Sequence, residues 1–214
     1  MPTLGCDCKV CTSGDARDNR LRPSIMLEYE GRTVIIDTTP DFRQQALRAQ
    51  IRNIDAVLFT HSHADHIMGL DDVRPISLRQ PAPIPIYGSR DTLDAIRRSF
   101  LYIFEHSNPE STLPRLIEHS VEEGVTLFGL PFVPIELYHG RSKIFGYRFG
   151  RAAYLTDHSE IPAASMAKLQ GLDVLFLDAL RHKPHPTHST VQQSLGYVEQ
   201  LAPNRAFFTH IVTI

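Results

Sequence analysis

The sequence predicts an α+β fold, a four-layer αββα sandwich, and three observations lead to it. Short apolar β-prone runs alternate with stretches of helical periodicity along the chain. Metal-capable side chains follow directly on several of those runs, where mixed α and β folds commonly hold reactive groups. The chain has 214 residues, 42% hydrophobic and 21% charged, enough for one substantial core.

The elements follow in order. Ile25–Tyr29 and Arg32–Ile36 read as a hairpin turning at Glu30-Gly31. Residues 42–50 read as a helix opened by Pro40 and Asp41, with Asp41 as its cap. Ala56, Val57, Leu58 and Phe59 form an apolar run bounded by polar residues, the mark of a short buried strand. Residues 91–104 read as one helix, with Leu93, Ile96, Phe100 and Ile103 at helical spacing. Residues 125–155 carry several short strands separated by glycine and proline. Residues 160–170 are expected to be helical, 174–177 a buried strand, and 190–201 a final helix capped by Ser189 or Thr190.

Composition excludes several classes. The formal net charge is −2 with no long block of like charge, which disfavours a nucleic-acid partner. No apolar stretch approaches twenty residues, so no membrane span is expected. Without a charged-then-apolar leading segment, a cytoplasmic location is the expectation. All three cysteines fall at positions 6, 8 and 11, a spacing that argues against a disulfide framework. Without repeats or an evident linker, the expectation is a single domain over 1–214, with 1–24 as a cysteine-containing loop.

His61-Ser62-His63-Ala64-Asp65-His66 is the densest chemical feature. Neutral imidazoles suit zinc and similar divalent ions, and a carboxylate adds charge and a bridge. His61 and His63, two apart, reach one ion from an extended segment, while Asp65 and His66 point elsewhere and suit a second. His139, Asp157 and His210 each follow a later β-prone run, as His61 does. Each alone would be an ordinary polar residue, and Asp157 in Thr156-Asp157-His158-Ser159 would serve equally as a turn cap. Their repeated placement at strand ends supports one shared site. His158 is not expected to be a ligand. Cys6, Cys8 and Cys11 place three thiolates within reach of one tetrahedral zinc.

The His-x-His-x-Asp-His arrangement, with His139, Asp157 and His210 in order, resembles the metallo-β-lactamase fold hydrolases. That resemblance implies two face-to-face sheets with helices outside and a metal site at one edge. It implies that His61, His63 and His139 hold one ion, that Asp65, His66 and His210 hold another, and that Asp157 bridges them. The nucleophile would be a metal-bridged hydroxide. Asp37, after Val34-Ile35-Ile36, resembles a family aspartate that braces the metal histidines, although a loop-capping role would also suit it. His188-Ser189-Thr190 resembles the motif of transfer-RNA 3′-end nucleases and cyclic phosphodiesterases, which implies that His188 assists at the phosphate. His182 and His185 in the same loop are lesser candidates.

Gly5-Cys-x-Cys-x-x-Cys-x-Ser13, Asp15-x-Arg17, Arg20-x-Arg22, Pro40-Asp41-Phe42-Arg43, Gly146-Tyr147-Arg148 and His185-Pro186-Thr187-His188 resemble the cyclic phosphoribosyl phosphodiesterase branch of carbon–phosphorus lyase pathways. There the cysteines hold a structural zinc completed by a histidine three residues after the last catalytic histidine. Here that position is Thr213. The resemblance also implies a chain shortened at both termini. The expected function is a metal-dependent phosphodiesterase acting on a small cyclic or diester phosphate, with two divalent ions (zinc, manganese or nickel), no nucleic-acid or membrane partner, and a homodimer as is common in the family. Hydrolysis of a thioester or lactone by the same residues, and a catalytically poor metal-binding fragment, are the alternatives.

Overall fold

The computed structural model describes residues 1–105 and 112–213, which form two compact units. Ile214 lies outside the described residues. Residues 24–122 make one unit; residues 1–23 with 123–214 make the other. The expected α+β class is observed, with a mixed sheet in each unit. Among the described residues no helix is long and apolar enough to cross a membrane.

In residues 24–122, the strands β1 (Ile25–Tyr29), β2 (Arg32–Ile36), β3 (Ala56–Leu58), β4 (Ile84–Gly88) and β5 (Leu116–Ser120) lie side by side in that order. The hairpin β1–β2 is antiparallel and turns where expected, with Glu30 and Gly31 both left-handed. The pairs β2–β3, β3–β4 and β4–β5 are parallel. β3 lies between two parallel partners, and crossover segments pack on such a sheet, so β3 is apolar at every position and fully buried. Ile35, Val57, Phe59, Ile67, Leu70 and Ile96 belong to this unit's core.

Helix α1 (Phe42–Arg48) starts where expected, but Asp41 makes no side-chain cap. Thr39 does the work two residues earlier: its hydroxyl oxygen accepts the Asp41 N–H at 3.2 Å and its carbonyl accepts the Phe42 N–H at 2.8 Å. The short helix α2 (Ala64–Ile67) carries the metal-type motif into a 3-10 turn, Leu70–Val73, and helix α3 (Arg74–Arg79). The expected helix over 91–104 is two: α4 (Arg90–Ser99) and α5 (Leu101–Phe104). The chain breaks at Phe100 (φ −120°, ψ 42°), a turn that keeps Phe100 and Ile103 buried while Leu101 and Tyr102 face outward.

In the other unit the order is β11 (Arg205–Thr209), β10 (Val174–Asp178), β9 (Ala152–Leu155), β8 (Ser142–Phe149), β7 (Leu130–His139), β6 (Val125–Leu127). Strands β9, β10 and β11 run parallel; β6 to β9 alternate in direction. β7 and β8 are longer than the short strands expected. Helix α6 (Ala163–Lys168) starts later than expected, because Glu160 is held in a bridge with Tyr138 and Pro162 is extended. Helix α7 (Val191–Leu201) opens on Thr190, not Ser189, with a reciprocal capping box to Gln193.

Gly69 holds the exit of α2 against the loop after β2. Its N–H donates to the Thr38 carbonyl at 2.9 Å, and an added Cβ would stand 2.0 Å from the Thr39 carbonyl oxygen. Backbone cannot yield as a side-chain tip can, so Gly69→Ala is expected to destabilise by about 3 kcal/mol. That corresponds to a Tm lower by roughly 6–12 °C. Gly196→Ala in α7 meets open space and is the control, expected to leave Tm unchanged or higher. Thermal and urea unfolding of the two variants checks the pair.

Candidate metal centre

Parallel strands place their carboxyl ends along one edge, and that edge collects the polar residues. In residues 24–122, Asp37 follows β2 and His61 follows β3, and the Asp37 N–H donates to the Leu58 carbonyl at 2.9 Å. In the other unit β7 has the same direction as β9, β10 and β11, being two antiparallel steps from β9. His139 ends β7, Asp157 follows β9, Asp178 ends β10 and His210 follows β11. Asp37, Asp157 and His210 all sit in the left-handed region, at φ 65°, 57° and 58°. Non-glycine residues there cost backbone energy and cluster at functional sites.

Asp37 organises the first of these groups. Its carboxylate accepts the Thr60 N–H at 2.8 Å, the Thr60 hydroxyl at 2.8 Å and the His66 Nδ1–H at 2.8 Å. Thr60 has one hydroxyl proton, and Asp37 takes it. Toward His61 Nδ1, 3.0 Å away, the hydroxyl can therefore only accept, so His61 also carries its proton on Nδ1. Both rings then hold their lone pair on Nε2, the state a metal ligand requires. Asp37, Thr60 and His66 are fully buried. Burial pushes the Asp37 carboxyl up, and His66 and Thr60 pull it back. His63 is exposed, with its ring 4.7 Å from that of His61. The Asp65 carboxylate lies 3.6 Å from His66 Nε2.

The second group forms within residues 123–214. His139 donates its Nδ1–H to the Asp157 carbonyl at 2.5 Å, which again leaves the lone pair on Nε2. His210 Nε2 lies 3.3 Å from Asp157 Oδ2. His188 packs among these residues, its ring centroid 4.8 Å from that of His139 and 4.9 Å from that of His210. Ligand atoms of His139, Asp157 and His188 come within 4.8 Å of one another, as do those of Asp178, His188 and His210. The His182 and Lys183 side chains are exposed, and the His185 ring sits 5.1 Å from His188. His158 turns away: it is fully buried, 5.6 Å from the Tyr197 ring, and burial pushes its imidazole down to about 3, so it stays neutral.

Asp178 is the residue that the sequence reading missed. It is fully buried and accepts the His188 Nδ1–H at 3.0 Å. Burial raises its carboxyl, and the bond to His188 draws it back. The signal was present: Asp178 ends its strand as His139 does, and the strand-end rule applied to 174–177 would have found it. Thr60 was missed as well, because a threonine beside a histidine motif carries no mark of its role in a chain of bonds.

Cys6, Cys8 and Cys11 bring their sulfurs within 4.8 Å of one another. The Cys11 backbone N–H and the Cys6 thiol draw the Cys8 thiol down to about 6, toward thiolate at neutral pH. Thr213 reaches this cluster, with Oγ1 2.9 Å from Cys11 Sγ. The position expected to hold a histidine in relatives is thus beside the sulfurs, with a hydroxyl in place of an imidazole. Three close sulfurs fit a zinc ion, and the buried imidazoles with fixed Nε2 lone pairs fit divalent transition metals.

Comparison with known proteins agrees with this chemistry. A profile for the beta-lactamase superfamily domain matches residues 32–211. The crystal structure of a new diphosphatase from the PhnP family is 52% identical, covers 99% of this chain and 81% of its own, and superposes with a TM-score of 0.91. Octanoyltransferase of Porphyromonas gingivalis is 37% identical across 99% of this chain, which spans 43% of that protein's length. The short form of human tRNase Z shares the fold at 22% identity and a TM-score of 0.73, over 90% of this chain and 86% of its own.

Replacing Asp37 by alanine removes the acceptor of three buried donors at once. We expect Asp37→Ala to cost about 3–5 kcal/mol, read as a lower urea midpoint at unchanged slope.

Proposed function

Because this chain belongs to the beta-lactamase superfamily, by a match over residues 32–211, we propose that it is a metal-dependent hydrolase that cleaves a small cyclic or diester phosphate. The observation that carries the reading is the pairing of His188 Nδ1 with the buried Asp178 carboxylate, amid His139, Asp157 and His210. The likeness to a diphosphatase at 52% identity supports phosphorus as the reacting centre.

In this reading His61, His63 and His139 would hold one divalent ion and Asp65, His66 and His210 another, with Asp157 available to both. Such ions supply Lewis-acid polarisation of the phosphoryl group and lower the pKa of water. Zinc, manganese and nickel all accept this donor set. Cys6, Cys8 and Cys11 would hold a third, structural ion, for which zinc suits the thiolates.

The protein's own residues do the rest. Asp37 holds the His61 and His66 rings so that each presents Nε2. Asp178 fixes the proton of His188 on Nδ1, so Nε2 faces the reacting groups. A proton on that Nε2 passes to the leaving oxygen of the ester, and the buried Asp178 carboxylate stabilises the imidazolium that holds it. A left-handed Asp157 aims its carboxylate while its carbonyl anchors His139.

Acyl hydrolysis, of a thioester or lactone, is the second reading. It rests on the likeness to the octanoyltransferase, of which this chain spans 43%.

The metal-loaded protein is expected to hydrolyse bis(p-nitrophenyl) phosphate and to lose that activity on chelation. His188→Ala should lower kcat by about 10²–10⁴, and Asp157→Ala should abolish turnover. Turnover of an octanoyl thioester without any phosphate ester would replace this reading by the second. Failure on both substrate classes with zinc, manganese and nickel would sink the enzyme.

A further inference from the structure

The sulfurs of Cys6, Cys8 and Cys11 lie within 4.8 Å of one another, and among the described residues no imidazole nitrogen or carboxylate oxygen completes that group. All three cysteines are free and half-buried. Backbone already points at two of the sulfurs. The Thr3 N–H donates to Cys11 Sγ at 3.2 Å, and the Cys11 N–H donates to Cys8 Sγ at 3.5 Å. Such donors favour sulfur in its charged form, the form that binds a metal. A closed zinc site takes four ligands drawn from thiolate sulfur, imidazole nitrogen and carboxylate oxygen. Here the chain brings three together.

Thr213 brings a further polar side chain to the cluster, with Oγ1 2.9 Å from Cys11 Sγ. A metal-bound cysteine is a thiolate, with lone pairs and no proton, so toward it the hydroxyl can only donate. Sulfur and oxygen ligands of one tetrahedral zinc stand about 3.5 Å apart. At 2.9 Å, Thr213 is a hydrogen-bond partner of the sulfur and not a fourth ligand. Thr213 also lines a cavity of about 420 Å³, together with Arg181, His182, Ile211 and Val212, in the same unit as the cysteines. A cavity of that size admits molecules well above one water, whose share of liquid volume is about 30 Å³. Thr213 therefore touches both the sulfur cluster and a space that a small molecule can enter.

We propose that an ion held by Cys6, Cys8 and Cys11 keeps its fourth position open and takes there an external nitrogen or sulfur donor, an imidazole or a thiolate, admitted through the cavity beside Thr213. Three protein ligands and one exchangeable position is the coordination of a reactive ion, not of a sealed structural one. The incoming donor displaces water, and no bond within the protein breaks. The site rests on the cysteine-held ion of the proposed function and is independent of the hydrolase.

The test is cobalt(II) substitution of the whole chain, followed by titration with imidazole. Sulfur-to-cobalt charge-transfer bands report the cysteine ion alone, because the histidine centre contains no sulfur. Bands of three thiolates are expected, and imidazole should shift them along a saturable curve. Thr213→His should give the shifted spectrum without imidazole and remove the response to it. In the zinc form, the same substitution should slow loss of the ion to a chelating dye by at least the roughly tenfold that even an outer-shell partner is worth. Three-thiolate bands that imidazole leaves unmoved would mean that the protein fills the fourth position itself, and would overturn the proposal. Thr213→His without effect on spectrum or zinc loss would overturn it as well. Absence of sulfur bands would remove the cysteine ion altogether, while hydrolysis of bis(p-nitrophenyl) phosphate tests the histidine centre separately.

Discussion

One buried carboxylate governs the tautomers of two histidines. Asp37 accepts three hydrogen bonds inside the unit formed by residues 24–122, and through them it fixes where His61 and His66 carry their protons. The carboxylate is placed by a left-handed turn directly after β2, beside the end of β3, with its own N–H on Leu58 and its carbonyl accepting the Ser24 hydroxyl. Burial makes the charge costly, and the same burial makes each bond to it strong. The apolar β3 and its neighbours serve that arrangement by excluding water from it.

The other unit repeats the logic with different parts. Asp178 is to His188 what Asp37 is to His66: a buried carboxylate at a strand end that holds an imidazole by Nδ1. A backbone carbonyl, that of Asp157, performs the task for His139. Each imidazole thus has one nitrogen committed to the protein, so its other nitrogen is defined in charge and direction before anything binds.

Much of this was legible in the sequence, for a physical reason. A buried strand needs an apolar run, so a histidine or aspartate directly after one is visible by contrast, as with His61, Asp157 and His210. Asp178 escaped the reading because the strand Val174–Asp178 absorbs it and a single terminal aspartate resembles an ordinary stop. The break at Phe100 was hidden because Leu93, Ile96, Phe100 and Ile103 keep helical spacing on both sides of it. The segment of α3 and the strands β4 and β5 lacked a period strong enough to mark them.

The shared direction of β7, β9, β10 and β11 gives that unit two unequal rims. His139, Asp157, Asp178 and His210 stand on the rim at the carboxyl ends, where a change of one residue in loop length would move a donor off its strand end. The opposite rim holds connections such as 169–173 and 202–204, which lead into β10 and β11. Length changes there leave the spacing of His139, Asp157, Asp178 and His210 intact. The fold therefore confines its intolerance to insertion to one rim, and the other is open to drift and to grafted sequence.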